Sequence, residues 1–203
     1  MGICHIIGAG DFFKEDLTIN PEDLIIAADK GLLYLEKDPD IIVGDFDSLG
    51  FVPQGKQVVK LQAQKDESDI FMCIQEGLAR GYHDFRLYGA WGGERFDHTI
   101  ANVQLLLWLY RHGCHAILYA KNQKLQVCSR AVLEHCTGYV SIFAFEKCKV
   151  LLSGFLYSGA LDFSPEFPLG LSNEPTAHAE INADKPVLVI TEKKSSGTIH
   201  CDP

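Results

Sequence analysis

Positive charge is what this sequence has little of. Its 203 residues hold 18 Lys and Arg against 27 Asp and Glu, a formal net charge of −9. A general nucleic-acid binder or a membrane-surface protein favours a basic patch, so neither is expected. Small phosphorylated ligands stay open, because a metal ion can carry them into an acidic site. Paired cysteine spacing is missing too. The seven cysteines (Cys4, Cys73, Cys114, Cys128, Cys136, Cys148 and Cys201) are odd in number, widely spaced and contain no CxxC. That argues against a disulfide framework or a zinc site and for reduced core thiols in a cytoplasmic protein. No stretch approaches the roughly 18 apolar residues of a membrane span. The start, MGICHIIGAGDFF, has no basic region and too short an apolar run for a signal peptide.

What is there suits a folded chain of one large domain or two small ones. Hydrophobic residues make up 47 %, with two Trp, seven Tyr and twelve Phe, enough for a packed core. Over the first 120 or so residues, apolar β-branched runs at Ile3–Ile7, Leu24–Ala28, Ile41–Val43, Val58–Leu61, Phe85–Tyr88 and Ala116–Tyr119 alternate with helical patterns. Ile70, Cys73, Ile74, Gly77 and Leu78 share one face of a helix that Gly81 ends, and HTIANVQLLLWLYRHG is a second helix stopped at Gly113. Strands alternating with helices predict an α/β N-terminal domain over 1–121, a mostly parallel sheet flanked by helices.

Beyond Lys121 short strands replace helices: Leu125–Val127, Tyr139–Phe145, Lys149–Leu152, Ala177–Ile181 and Val187–Thr191. These predict an all-β C-terminal sandwich over 122–203. The tail, KKSSGTIHCDP, reads as loosely held.

In an open parallel sheet, ligands sit beyond the C-terminal ends of the strands. Asp29 follows LIIAA, Asp45 and Asp47 follow IIV, and Asp66 and Asp69 follow VVKL at the start of a helix. Each has a structural reading. Asp66 or Ser68 would serve as an N-cap, and an acidic first turn suits the helix dipole. As a set, carboxylates at one end of a sheet repel unless a cation joins them, and hard oxygen donors suit Mg²⁺. A second feature is GAWGGERFDH, Gly89 to His98, between a strand and a helix. Gly92 and Gly93 let backbone approach an anion at the helix N-terminus, and Arg95 can grip phosphate oxygens. The loop is neither a GxGxxG fingerprint nor a Walker loop. Asp97 caps the helix or binds a polar group, and His98 is by default a structural histidine. A third feature is LGLSNE, where Ser172 and Asn173 either make a turn or offer a hydroxyl and an amide to a heterocycle.

Together AADKG (Ala27–Gly31), VGDFDS (Val43–Ser48), KDESD (Lys65–Asp69), GGERFDH (Gly92–His98) and GLSNE (Gly170–Glu174), in that order, resemble thiamine pyrophosphokinase in its short bacterial form. The resemblance spans Ile3 to about Glu192. It implies transfer of pyrophosphate from ATP to the hydroxyl of thiamine, Mg²⁺, and a homodimer with active sites between subunits. By motif match, Asp45, Asp47 and Asp69 would hold the metal, with Lys65 as a further catalytic residue. Asp29, Gly31, Asp66, Gly92, Gly93 and Arg95 would handle ATP, and Asp97, His98, Ser172 and Asn173 thiamine. Three departures stand out: Glu94 intervenes between the glycine pair and its arginine, Ser68 stands in KDESD where threonine is commoner but keeps the hydroxyl, and PVLVI near the final strand offers no tryptophan to stack on thiamine. Two rivals differ in class. A phosphatase of the haloacid dehalogenase type also places DxD after a strand, but normally the first one, with Thr or Val two residues on, whereas Ser48 and Leu49 follow here. A non-catalytic thiamine or nucleotide-binding module would not need the acidic set, which is complete.

Overall fold

The structure is a computed structural model that describes residues 2–47, 49–54, 57–60, 68–193 and 197–202. The chain divides into two compact units: Met1–Leu105 with Cys114–Lys121, and Leu106–Gly113 with Asn122–Pro203.

The first unit is built on six parallel strands: β1 (Cys4–Ile7), β2 (Leu24–Ala28), β3 (Ile41–Gly44), β4 (Val58–Lys60), β5 (Asp84–Tyr88) and β6 (His115–Tyr119), in the order β6-β5-β1-β2-β3-β4. β1 and β3 are buried along their whole length, which explains why they read as continuous apolar runs rather than alternating ones. Helix α1 (Asp69–Ala79) lays Ile70, Cys73, Ile74 and Gly77 inward and packs on β1, β2 and β3. Ser68 caps it, its hydroxyl accepting from the Phe71 N–H at 3.2 Å. Gly81 at φ +82° ends it, with Tyr82 N–H on the Gly77 carbonyl and Gly81 N–H on that of Leu78. That is a Schellman close. Helix α2 (Phe96–Arg111) follows β5.

The second unit is antiparallel. Its strands are β7 (Gln123–Glu134), β8 (Val140–Ala144), β9 (Cys148–Phe155), β10 (Gly159–Phe163), β11 (Gly170–Asn173), β12 (Pro175–Glu192) and β13 (Thr198–Cys201). β12 pairs with β7 along one side, and with β9 and then β8 along the other. Its core holds Leu133, Val140, Ile142, Val150, Ile181 and Val189, among others.

The α/β domain with flanking helices followed by a sandwich is overturned. The protein is mostly β, thirteen strands against two α-helices among the described residues, with parallel pairing in one unit and antiparallel in the other. The connections explain the missing helices. Between β1 and β2 lies only a 3-10 turn at Lys14–Asp16, and between β2 and β3 another at Asp29–Tyr34. The latter runs so tightly on β1 that a Cβ on Gly31 would sit 2.0 Å from the Ile7 carbonyl oxygen. The expected loose tail is likewise corrected: Thr198–Cys201 pairs with β7 as β13. All seven cysteines are free and six are buried; burial pushes the Cys4 thiol up to about 12. No helix among the described residues is long and apolar enough to cross a membrane.

Candidate active site

Parallel pairing puts the C-terminal ends of β1, β2, β3 and β5 along one edge, where the segments that follow them meet. Three backbone bonds join the segment after β1 to the one after β5. Gly8 donates to the Tyr88 carbonyl at 2.7 Å, Gly10 to that of Gly89 at 2.7 Å, and Asp11 to that of Trp91 at 2.9 Å. Side chains would not fit there: a Cβ on Gly8 would meet the Gly89 carbonyl oxygen at 2.5 Å. The result is an open cleft of about 610 Å³. Its walls include the glycines, Asp11, Asp29, Lys30, Tyr34, Arg95 and His98.

Two buried polar residues of α2 hold the glycine loop in place. Gly92 N–H donates to the Thr99 hydroxyl at 3.0 Å, and the Asn102 amide donates to the Ala90 carbonyl at 2.7 Å. Gly92 and Gly93 both take left-handed backbone, φ +67° and +77°, which favours residues without a Cβ. Arg95 is exposed and pairs with Asp97, Nη2 to Oδ2 at 2.5 Å. That hydrogen bond holds the Asp97 carboxyl below the usual carboxylate range.

The acidic turn after β3 has a different geometry. Phe46 is buried, 2 % exposed, in left-handed backbone at φ +63°. Burying the phenylalanine turns the chain there, leaving Asp45 half-buried and Asp47 exposed on either side of it. The Asp47 N–H donates to Asp45 Oδ1 at 3.1 Å, and the Phe46 N–H donates to Asp29 Oδ1 at 3.2 Å. Asp29 is itself left-handed, φ +47°. Strained non-glycine backbone of this kind gathers at functional sites.

Of the sequence-predicted residues, Asp29, Gly92, Gly93, Arg95 and His98 line the cleft, and Asp29 also meets the turn that carries Asp45 and Asp47. Gly31 is buried against β1 and stands outside the lining. Asp69 opens α1, half-buried. Lys65, Asp66 and Ser48 lie outside the described residues. Among the described residues no three or more His, Cys, Asp or Glu side chains form a ready-made metal cluster. The donor set at the edge is nevertheless all oxygen, and Mg²⁺ commonly takes only one or two carboxylates, completing its shell with substrate phosphates and water. Asp45 and Asp47 fit that mode.

In the second unit, Ser172 is exposed with φ +57°, its N–H on the Ser141 hydroxyl at 3.0 Å. Asn173 is buried and occupied: Oδ1 accepts from the N–H groups of Tyr157 (3.1 Å) and Glu174 (3.0 Å), and Nδ2 donates to the Tyr157 carbonyl (2.8 Å). Its side chain shapes the loop.

Sequence reasoning missed Gly8, Gly10, Asp11, Lys30, Tyr34, Thr99 and Asn102. The first three were findable. GAGD follows the first apolar run just as the acidic residues follow the others, and the strand-end rule applies to it equally.

Glycines, an arginine and carboxylates meeting beyond parallel strand ends belong to an enzyme that handles a phosphate-bearing ligand. The class narrows on comparison. Residues 16–118, just over half of the chain, match the family model described as thiamin pyrophosphokinase, catalytic domain, and the chain belongs to that family. The family's reaction is ATP-dependent pyrophosphate transfer to thiamine. The fold is similar to solved structures of thiamine pyrophosphokinase from Bacillus subtilis (TM-score 0.79, 22 % identity, 95 % of this chain and 99 % of that one). It is also similar to those from Geobacillus thermodenitrificans (0.78, 24 %, 96 % and 99 %) and Candida albicans (0.74, 14 %, 94 % and 88 %). Among curated proteins none matches.

Proposed function

We propose that this chain makes thiamine diphosphate and AMP from thiamine and ATP in a Mg²⁺-dependent reaction, with the first unit handling the nucleotide and the loop at 170–174 the thiamine. What carries the reading is the meeting of the glycine cleft and the strained Asp45–Phe46–Asp47 turn at one strand edge, through Asp29. In the reaction the thiamine hydroxyl oxygen bonds to the β-phosphorus of ATP. The bond from that phosphorus to the bridging oxygen of the α-phosphate breaks, and AMP leaves with that oxygen. Such transfers ask a protein mainly for positioning and charge stabilisation.

Gly92, Gly93 and Arg95 grip phosphate, and Lys65 adds a cation on sequence grounds. Asp45, Asp47 and Asp69 would hold Mg²⁺, which neutralises phosphate charge when bound. The hydroxyl proton goes to a carboxylate. Asp69 or Asp97 would take it. Ser172 faces thiamine from a loop that Asn173 shapes. The working form is a cytoplasmic homodimer with active sites between subunits. Exposed Tyr157, Phe167 and Leu171 beside the thiamine loop supply apolar surface for a partner.

The test is a product assay with ATP, Mg²⁺ and thiamine. AMP appearing one-for-one with thiamine diphosphate supports the reading; ADP with thiamine monophosphate would make the protein an ordinary kinase instead. EDTA should stop turnover. Asp47→Asn, at an exposed position, should abolish it in protein that melts like the wild type, and near-normal activity would remove Asp47 from the metal site.

A further inference from the structure

Among the described residues that line the cleft, Tyr34 brings the one phenyl-type ring. It closes the 3-10 turn that starts at Asp29, so an acid, a cation (Lys30) and an aromatic ring enter the cleft from a single short segment. The ring is held unusually firmly for a side chain on a residue 39 % exposed. Its hydroxyl donates to the carbonyls of Ala9 (3.2 Å) and Gly10 (3.1 Å). Phe12 stacks on it nearly parallel, 4° between planes and 5.1 Å between centroids. Phe12 is not part of the cleft wall. The tyrosine is therefore backed by Phe12 on one face, pinned at its tip, and part of the cleft wall.

A ring fixed before any ligand arrives loses little freedom on binding, and a flat aromatic face suits a flat heterocycle. Both substrates carry one. Position favours the nucleotide. The carbonyl that Tyr34 holds belongs to Gly10, whose Cα is 3.7 Å from where a Cβ on Gly93 would lie. The ring thus stands beside the glycines that suit phosphate, at the N-terminal end of the sixteen-residue helix α2.

We propose that Tyr34 is the stacking platform for the nucleobase of the phosphate donor, a specificity residue that selects nucleoside triphosphates over base-free polyphosphates. Stacking reads a π-face and not hydrogen-bonding edges, so it grades bases by ring area, purine above pyrimidine, and tolerates the choice among purines. The inference rests on the pyrophosphokinase reading for its kinetic consequences, but not for binding itself.

The test compares wild type, Tyr34→Phe and Tyr34→Leu, with AMP binding by calorimetry beside the kinetics. Tyr34→Leu should weaken AMP binding and raise the KM for ATP roughly 10-fold, the scale of one base–aromatic stack. It should leave kcat at saturating ATP and the KM for thiamine in place, and shrink the preference for ATP over tripolyphosphate by the same factor. Tyr34→Phe keeps the ring but frees its tip, so its AMP affinity and its KM for ATP should fall between those of wild type and Tyr34→Leu. Unchanged AMP binding in folded Tyr34→Leu, or a rise in the thiamine KM alone, overturns the proposal; the latter would give the ring to thiamine. Nuclear Overhauser contacts between adenine protons and the Tyr34 ring in wild-type protein supply a check that needs no variant, and their absence in an AMP-saturated sample also overturns it. Wild type that binds AMP with these contacts but forms no thiamine diphosphate would refute the reaction and leave the platform standing.

Discussion

Gly44 ends β3 without a side chain because Asp29 fills the space: a Cβ there would lie 2.3 Å from Asp29 Oδ1. Gly44→Ala should therefore push Asp29 off the Phe46 N–H and loosen the turn that aims Asp45 and Asp47. We expect a stability loss of about 1–3 kcal/mol from overpacking and a fall in kcat on the order of 100-fold from misplacement. Gly50→Ala is the control. Gly50 is also left-handed, φ +72°, but nothing lies within 4 Å of its Cβ position. It should cost about 1–2 kcal/mol in backbone strain with little loss of rate, and equal rate losses in the two variants would refute the Gly44 argument. Acid behaviour is also set residue by residue. His5, 1 % exposed, contacts Asp23 Oδ2 through Nε2 at 3.1 Å and the Tyr88 hydroxyl through Nδ1 at 3.3 Å. Burial holds its pKa below the usual 6.5, against the opposing pull of Asp23. Burial alone would raise Asp23, but the Ile3 and Asn20 N–H groups and His5 outweigh it and hold its carboxyl below the usual range. In both cases the unfolded chain binds the proton more readily, so stability rises with pH. The His5 contribution is complete above 6.5 and is lost as pH falls towards its folded pKa; that of Asp23 is lost below about 3.8. Urea midpoints measured from pH 7 to 4 should fall less steeply in His5→Gln than in wild type, and an unchanged slope would show that His5 does not titrate on unfolding.

At the scale of elements, α1 tests how tightly helix and sheet fit. Gly77→Ala adds helix propensity of roughly 1 kcal/mol. Its Cβ would, however, meet the Phe85 ring at 2.8 Å and Cys4 Sγ at 2.9 Å, both fully buried. The clash wins, and denaturant unfolding should show a net loss of about 1–2 kcal/mol; a more stable variant would mean that α1 can lift from β1 and β5. This helix was legible before the structure. Its apolar face recurs at helical spacing, Ser68 sits at the start and Gly81 at the end, and all three signals are local. Strand β12 was not legible. The sequence reads as two short strands, Ala177–Ile181 and Val187–Thr191, where the structure has one, broken only at Ala183–Pro186. In the structure that stretch is a register shift against β7, while Ala183 pairs with Val150 and Asp184 accepts from the Lys149 N–H at 2.8 Å. Turn-forming residues were absorbed as an irregularity by partners far off in sequence. The fold class failed for a related reason. Alternating apolar runs show where strands lie, but connection geometry decides whether helices cover them, and the contact of Gly31 with Ile7 is tertiary.

For the molecule as a whole the question is which substrate each unit answers to. The cleft was partly readable, because a glycine-rich turn between strand and helix carries its physical reason in sequence. The GLSNE loop was ambiguous, since Ser and Asn after a glycine make turns and contacts alike. The structure separates the two residues. Asn173 spends its amide on Tyr157 and Glu174, while Ser172 keeps an exposed side chain on strained backbone. Their alanine variants should then fail differently. Asn173→Ala leaves the N–H groups of Tyr157 and Glu174 without their acceptor, and should cost about 1–3 kcal/mol of stability, read as a lower melting temperature. On the proposed reading Ser172→Ala removes one hydrogen bond to thiamine, of about 0.5–1.5 kcal/mol. It should raise the thiamine KM roughly 2- to 10-fold while the ATP KM and the melting temperature hold. The opposite split is expected from Arg95→Gln, which should raise the ATP KM and spare that for thiamine. If Ser172→Ala moved both KM values equally, the loop would be acting on the fold rather than on thiamine, and the assignment of one substrate to each unit would fall with it.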